Sequence, residues 1–167
     1  VVSVSTKTYN GTTDAEVTAT VDTGITGQTL TITGLAGSFD NKNAGTGKTV
    51  TINSTNAQVT AGADTDASNY SIIYPETAKG DITAKTLNAV VSAANKVYDG
   101  KTDAKVTATV KTRIGEETLT IIGLTGSFAD QNVGTDKSVS IDSTRASVQA
   151  GAGTRADNYT VVYPAAS

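Results

Sequence analysis

The sequence predicts an all-β chain made of two tandem immunoglobulin-like β-sandwich domains. Three observations carry this expectation. One module is written twice: 44 of the 78 residues in 1–78 recur identically in 90–167, at a constant offset of 89. Self-similarity at a fixed period marks an array of repeated domains. Apolar residues then alternate with threonine at a period of two, the pattern of strands with one buried and one wet face. Tight-turn dipeptides and glycines separate these runs, and no window carries an i, i+3, i+4 stripe. About seven short strands in about 80 residues fit an immunoglobulin-like sandwich. β-grasp-like modules are the alternative, but they need a helix for which the sequence has no signal.

The strands follow in order. Val17, Ala19 and Val21 alternate with Thr18 and Thr20, Leu30 and Ile32 with Thr31 and Thr33, and Val50 and Ile52 with Thr49 and Thr51. Tyr70, Ile72 and Tyr74 share one face of a final strand. The second copy repeats each set, ending in Tyr159, Val161 and Tyr163. Threonine supplies 31 of 167 residues, and its branched Cβ suits a pleated surface. Asn10-Gly11 and Asp99-Gly100 are tight-turn dipeptides. Gly34 and Gly37 recur as Gly123 and Gly126, which marks positions that need glycine. Gly24, Gly27 and Gly47 do not recur, so no special backbone angle is expected there. Pro75 and Pro164 stand where a strand can end. The domains are expected at 1–83 and 84–167. The junction around Asp81–Leu87 has no proline and no Gly/Ser run, which predicts a short, stiff connection.

Composition excludes much. There is no cysteine, hence no disulfide framework and no thiolate metal site. There is no histidine, which removes the commonest metal ligand and the usual general base near neutral pH. Net charge is −3: residues 1–78 give 3 − 7, residues 79–89 give 2 − 1, and residues 90–167 give 8 − 8. No basic stripe suits nucleic acid, and no apolar run reaches the roughly 18–20 residues of a membrane-spanning helix. The chain opens in strand-like sequence at Val1-Val2, so it is expected to be a segment of a longer protein.

Several spaced blocks together resemble a known family. Lys96-Val97-Tyr98-Asp99-Gly100-Lys101-Thr102-Asp103-Ala104 resembles the signature of the YDG repeat domain of large, filamentous-haemagglutinin-like bacterial surface adhesins. The central block Gly123–Thr135, the segment Asp157-Asn158-Tyr159-Thr160-Val161 and the junction Ile82–Leu87 are similar to later parts of the same pattern. The first copy departs at the name-giving triplet and reads Tyr9-Asn10-Gly11. The resemblance implies tandem arrays in secreted proteins at the bacterial cell surface, in adhesion or biofilm formation. It supplies no ligand.

The candidate sites are few. The triplets Tyr9, Asn10, Gly11 and Tyr98, Asp99, Gly100 are expected to be structural, the tyrosine packing its ring and the Asx-Gly pair making the turn. Asp64, Asp66 and Asn69 cluster oxygens as a calcium loop does, but the second copy has Gly153 and Arg155 at the first two positions. An ordinary polar turn without a cofactor is therefore expected, with calcium as the alternative. A self-formed Lys–Asn amide would need Lys7, Asn69 and Asp14, or Lys96, Asn158 and Asp103, in mutual contact. Glu116-Glu117 has no acidic counterpart in the first copy and is expected to be a solvated pair.

The chain is thus expected to be a non-enzymatic stalk of extracellular repeats whose partners are neighbouring repeats. The competing reading is a module that itself binds host glycan or protein, or its own kind on another cell. Tyrosines buried in the domains would favour the first reading, and alternation places most of them inward.

Overall fold

The computed structural model describes residues 1–166. The chain divides into two compact units, Val1–Ala84 and Lys85–Ser167. Both are all-β, with several small sheets each, and no α-helix occurs among the described residues.

In the first unit the strands are β1 (Val2–Val4), β2 (Lys7–Thr8), β3 (Asp14–Ala15), β4 (Val17–Ala19), β5 (Leu30–Thr33), β6 (Ala36–Phe39), β7 (Gly45–Asn53), β8 (Gln58–Ala61) and β9 (Thr77–Thr83). The main sheet has the order β2-β9-β7-β6-β3, flanked by the antiparallel pairs β1-β4 and β5-β8. β9 lies between β2 and β7, parallel to β2 and antiparallel to β7. Alternation sets the faces as expected: Leu30 and Val50 point inward while Thr31 and Thr51 are exposed. The core is Tyr9, Leu30, Phe39, Val50 and Ile82, each under a tenth exposed.

In the second unit the strands are β10 (Lys85–Asn88), β11 (Val90–Ala93), β12 (Asp103–Ala104), β13 (Val106–Thr109), β14 (Leu119–Ile122), β15 (Thr125–Phe128), β16 (Val139–Asp142), β17 (Ser147–Ala150) and β18 (Tyr159–Val162). They pair as β12-β15-β16, β11-β13, β14-β17 and the parallel pair β10-β18. The core here is Leu87, Ala89, Ala104, Val139 and Tyr159, with Asn158 and Thr112 also buried.

The two units are therefore related in sequence but not identical in strand content. Tyr70–Ile73 of the first unit, expected as a strand, has the alternating burial of one but joins no ladder. Its counterpart β18 is held by β10, and no described strand takes that place beside Tyr70–Ile73. The converse holds for β7, which runs nine residues because β9 pairs along it, whereas β16 is four residues long. Among the described residues, Ala166 bridges to β16 on that side, at Ser140. A strand exists only where a neighbour completes its ladder. The segment around the junction serves both units: β9 ends at Thr83 in the first, and β10 begins at Lys85 in the second.

The glycine expectation needs correction. Gly24 and Gly47 have φ of 70° and 60°, and their counterparts Arg113 and Asp136 hold φ of 55° and 51°. Both sites are left-handed turns in each copy, so failure of glycine to recur did not mean an ordinary backbone. Gly27 is also left-handed, at φ 85°.

Candidate functional site

The turn after Tyr9, with its counterpart after Tyr98, is the best-organised polar cluster in each unit. A chain reversal must occur between Tyr9 and Asp14, and the Asx-Gly pair makes it. Asn10 Oδ1 accepts hydrogen bonds from the Thr12 amide at 3.0 Å and the Thr12 hydroxyl at 2.8 Å, and Gly11 takes φ of 83°. This is an Asx turn, which short polar side chains favour. Lys7 then reaches across the turn. Its Nζ donates to Thr12 Oγ1 at 2.7 Å and to the Asp14 carbonyl at 2.8 Å, and pairs with Asp14 Oδ1 at 3.0 Å.

The second unit repeats the arrangement with an acid in the triplet. Asp99 Oδ1 accepts from the Lys101 amide at 3.0 Å, and Lys96 Nζ lies 2.9 Å from both Asp99 Oδ1 and Asp103 Oδ1. Asn or Asp thus makes the same turn, and Asp adds an ion pair. A second lysine lock follows in each unit: Lys48 pairs with Asp40 at 2.8 Å, and Lys137 pairs with Asp130. The acid moves by one position between copies, and the flexible lysine follows it.

These contacts shift titration in a consistent direction. The hydrogen bond from Thr12, then Lys7, holds the Asp14 carboxyl below its ordinary value. Lys96 holds Asp99 low, Lys48 holds Asp40 low and Lys137 holds Asp130 low. Asp103, ahead of Asp99, raises Lys96. A carboxylate lowered in the fold stabilises above its unfolded pKa, and that contribution is lost as pH falls through the folded value. A raised lysine stabilises below its unfolded pKa and loses this as pH rises through the folded value. With no histidine to titrate between, stability is expected to stay flat from about pH 5 to about pH 9 and to fall below about pH 4. Urea midpoints across pH check this, and Lys7→Met with Lys96→Met should shrink the acid-side fall.

Asp64 sits at φ 57°, where the second copy has Gly153 at φ 72°. Asp66 Oδ1 accepts from the Ser68 amide at 2.9 Å and the Ser68 hydroxyl at 2.7 Å, capping the 3-10 turn Ala67–Asn69. Its carboxylate is engaged by its own turn. No group of three or more Asp, Glu, His or Cys side chains able to hold a metal occurs among the described residues. For the Lys–Asn amide, each lysine meets its acid, Lys7 with Asp14 and Lys96 with Asp103. Asn69 is exposed, while Asn158 is only 1% exposed.

Two features escaped the sequence. Glu117 is not simply solvated: its Oε2 accepts from Tyr159 Oη at 2.7 Å. Gln28, its counterpart, bonds Tyr70 Oη in the first unit. The recurring element is thus a Tyr–Glx bond, visible only by aligning the copies and allowing Gln for Glu. Most tyrosines turn at least partly inward, as expected, and one does not. Tyr9 and Tyr159 are buried and Tyr70, Tyr74 and Tyr163 half-buried, but Tyr98 is 61% exposed. Beside Tyr98 lies a groove of about 960 Å³, floored by Phe128 and Val139. A hollow of about 600 Å³ follows Ala19–Ile32 in the first unit.

The model of the YDG domain matches residues 1–78 and again 83–167. The chain belongs to the YDG domain family. Nearly every residue falls within one of its two YDG domains, and the triplet that names the family is the Asx turn under the lysine lock. No curated protein and no solved structure matches this pair of YDG domains.

Proposed function

We propose that this YDG pair is a spacer segment in the tandem array of a secreted bacterial surface adhesin, which sets the reach of an adhesive region elsewhere in the parent protein. The carrying observation is which features recur. The lysine-locked turn, the Tyr–Glx bond and the close-packed glycines recur in both copies, and all of them hold the fold. The features that would bind or catalyse do not recur: Asp64 and Asp66 become Gly153 and Arg155, and Glu116 stands where Gly27 is. A spacer conserves its frame and lets its surface drift. Each unit is read as a sandwich-like module on the immunoglobulin plan, outside the cell, without catalytic activity or a resident cofactor. Its partners are neighbouring repeats. No helix of the described residues is long and apolar enough to cross a membrane.

The competing reading is a module that binds host glycan or protein, or a like array on a sister cell, with repetition adding avidity. The exposed Val97, Tyr98 and Val133 favour it. Purified two-unit protein applied to a glycan array, host cells and sister bacterial cells decides between the two. The spacer reading expects no saturable binding at high micromolar concentration. Saturable binding abolished by a surface substitution overturns it.

A further inference from the structure

We propose that the groove beside Tyr98 in the second unit is a docking slot for one extended β-strand, with a small residue where the strand crosses Phe128 and an aliphatic residue two positions later. This holds whether the chain is a spacer or a binder.

The first unit shows the slot filled. There β9 runs between β7 and β2, with Lys48 opposite Gly80, Val50 opposite Ala78, and Lys7 opposite Ile82. The Tyr9 amide donates to the Thr83 carbonyl at 2.8 Å. The fit at Gly80 is tight: a Cβ there would sit 2.6 Å from Val4 Cγ1 and 3.2 Å from Phe39 Cε1. With β9 in place, Tyr9 is 1% exposed, Phe39 3% and Ile82 2%.

The second unit shows the same slot, which no described residue enters beyond Ala166. The counterparts of Val4, Tyr9, Phe39, Lys48 and Val50 are Ala93, Tyr98, Phe128, Lys137 and Val139, and all five line the 960 Å³ groove. Tyr98 is 61% exposed and Val97 89%. The backbone is also prepared. The Ile52 amide donates to Glu76 just before β9, and its counterpart Ile141 donates to Ala165. Since amides alternate sides along a strand, that of Lys137 faces the groove beyond Ala166, on the side where Ile141 meets Ala165. A sheet edge that no described residue pairs beyond Ala166, beside apolar pockets, is the geometry that strand addition uses, with main-chain bonds giving affinity and alternate side chains giving specificity.

One position tunes the occupant. The Gly47 amide holds the Asp81 carboxylate at 2.7 Å, and Asp136 replaces Gly47 in the second unit. An acid at the Asp81 position would meet that carboxylate, so a neutral residue fits there.

The test adds a labelled peptide of the Lys79–Ala84 sequence, carrying Asp81→Asn, to the full 167-residue protein. Saturable binding is expected, with gained exchange protection at the Lys137 amide. A Gly80→Val peptide should bind at least about tenfold more weakly, because its side chain enters the Phe128 contact. Tyr98→Ser in the protein should weaken the peptide similarly while leaving the melting temperature of the free protein unchanged. A tethered version, with Lys-Gly-Asn-Ile-Thr-Ala continuing in repeat register after Ser167, raises the local concentration of the strand. It should bury the Tyr98 ring and raise the melting temperature of the second unit. If neither the peptide at millimolar concentration nor the tether changes Tyr98 or the Lys137 amide, or if the Gly80→Val peptide binds equally well, the proposal fails.

Discussion

Tyr9→Ala is expected to destabilise the first unit by about 3–5 kcal/mol, whereas Tyr98→Ala should cost the second about 0.5 kcal/mol or less. The two residues are the same tyrosine of the same motif. Tyr9 is 1% exposed and packed in a core with Phe39, Val50 and Ile82, so its removal leaves a cavity that the surrounding sheet cannot close. Tyr98 is 61% exposed and has little burial to lose. In a domain of this size each kcal/mol moves the midpoint by about 4–8 °C, so the first unit should melt more than about 10 °C lower in the Tyr9 variant. Hydrogen exchange followed residue by residue assigns the loss to one unit. Equal losses in both variants would mean that the second unit buries Tyr98 in solution.

Gly34→Ala should cost about 3 kcal/mol and Gly24→Ala about 1 kcal/mol, although both glycines are left-handed. Gly34 has φ of 77°, and a Cβ there would lie 2.1 Å from the Asn56 carbonyl oxygen. That oxygen belongs to the backbone, so relief requires the β5–β6 turn or the turn before β8 to move. Gly123 repeats the geometry, 2.2 Å from the Arg145 carbonyl oxygen. Gly24 has no atom within 4 Å of such a Cβ, and the second copy already tolerates Arg113 there at φ 55°. Only the backbone preference opposes that substitution. Urea midpoints of the two variants measure the difference directly.

The local pattern was legible where neighbours in sequence decide it. Alternation placed Leu30 and Val50 inward, and the Asx-Gly pairs marked their turns, because both depend on a few consecutive residues. Long-range pairing was not legible. Tyr9 and Tyr98 look alike in sequence, yet what separates them is β9, whose Thr83 lies 74 residues beyond Tyr9. Tyr70–Ile73 alternates as well as Tyr159–Val162 does, yet only the latter has a parallel neighbour. The Tyr–Glx bonds span 42 residues, beyond any periodicity window. The lysine locks lay between these cases: Lys7 and Asp14 were singled out together, but as candidates for an amide bond and not as the clamp on the turn.

The parallel strand pairs decide how each unit bears a load. In the first unit β2 near one end lies parallel to β9 at the other, and in the second β10 and β18 are related in the same way. Tension applied to the two ends of either unit drags such neighbours lengthwise past one another. The hydrogen bonds between them lie across the pull and are strained together, so they give way as a group. An antiparallel pair at the ends would instead peel open one bond at a time. The four-residue ladder of β10 and β18 shares tension among more rungs than the two-residue ladder of β2 and β9. Under stretch, the first unit should therefore yield before the second.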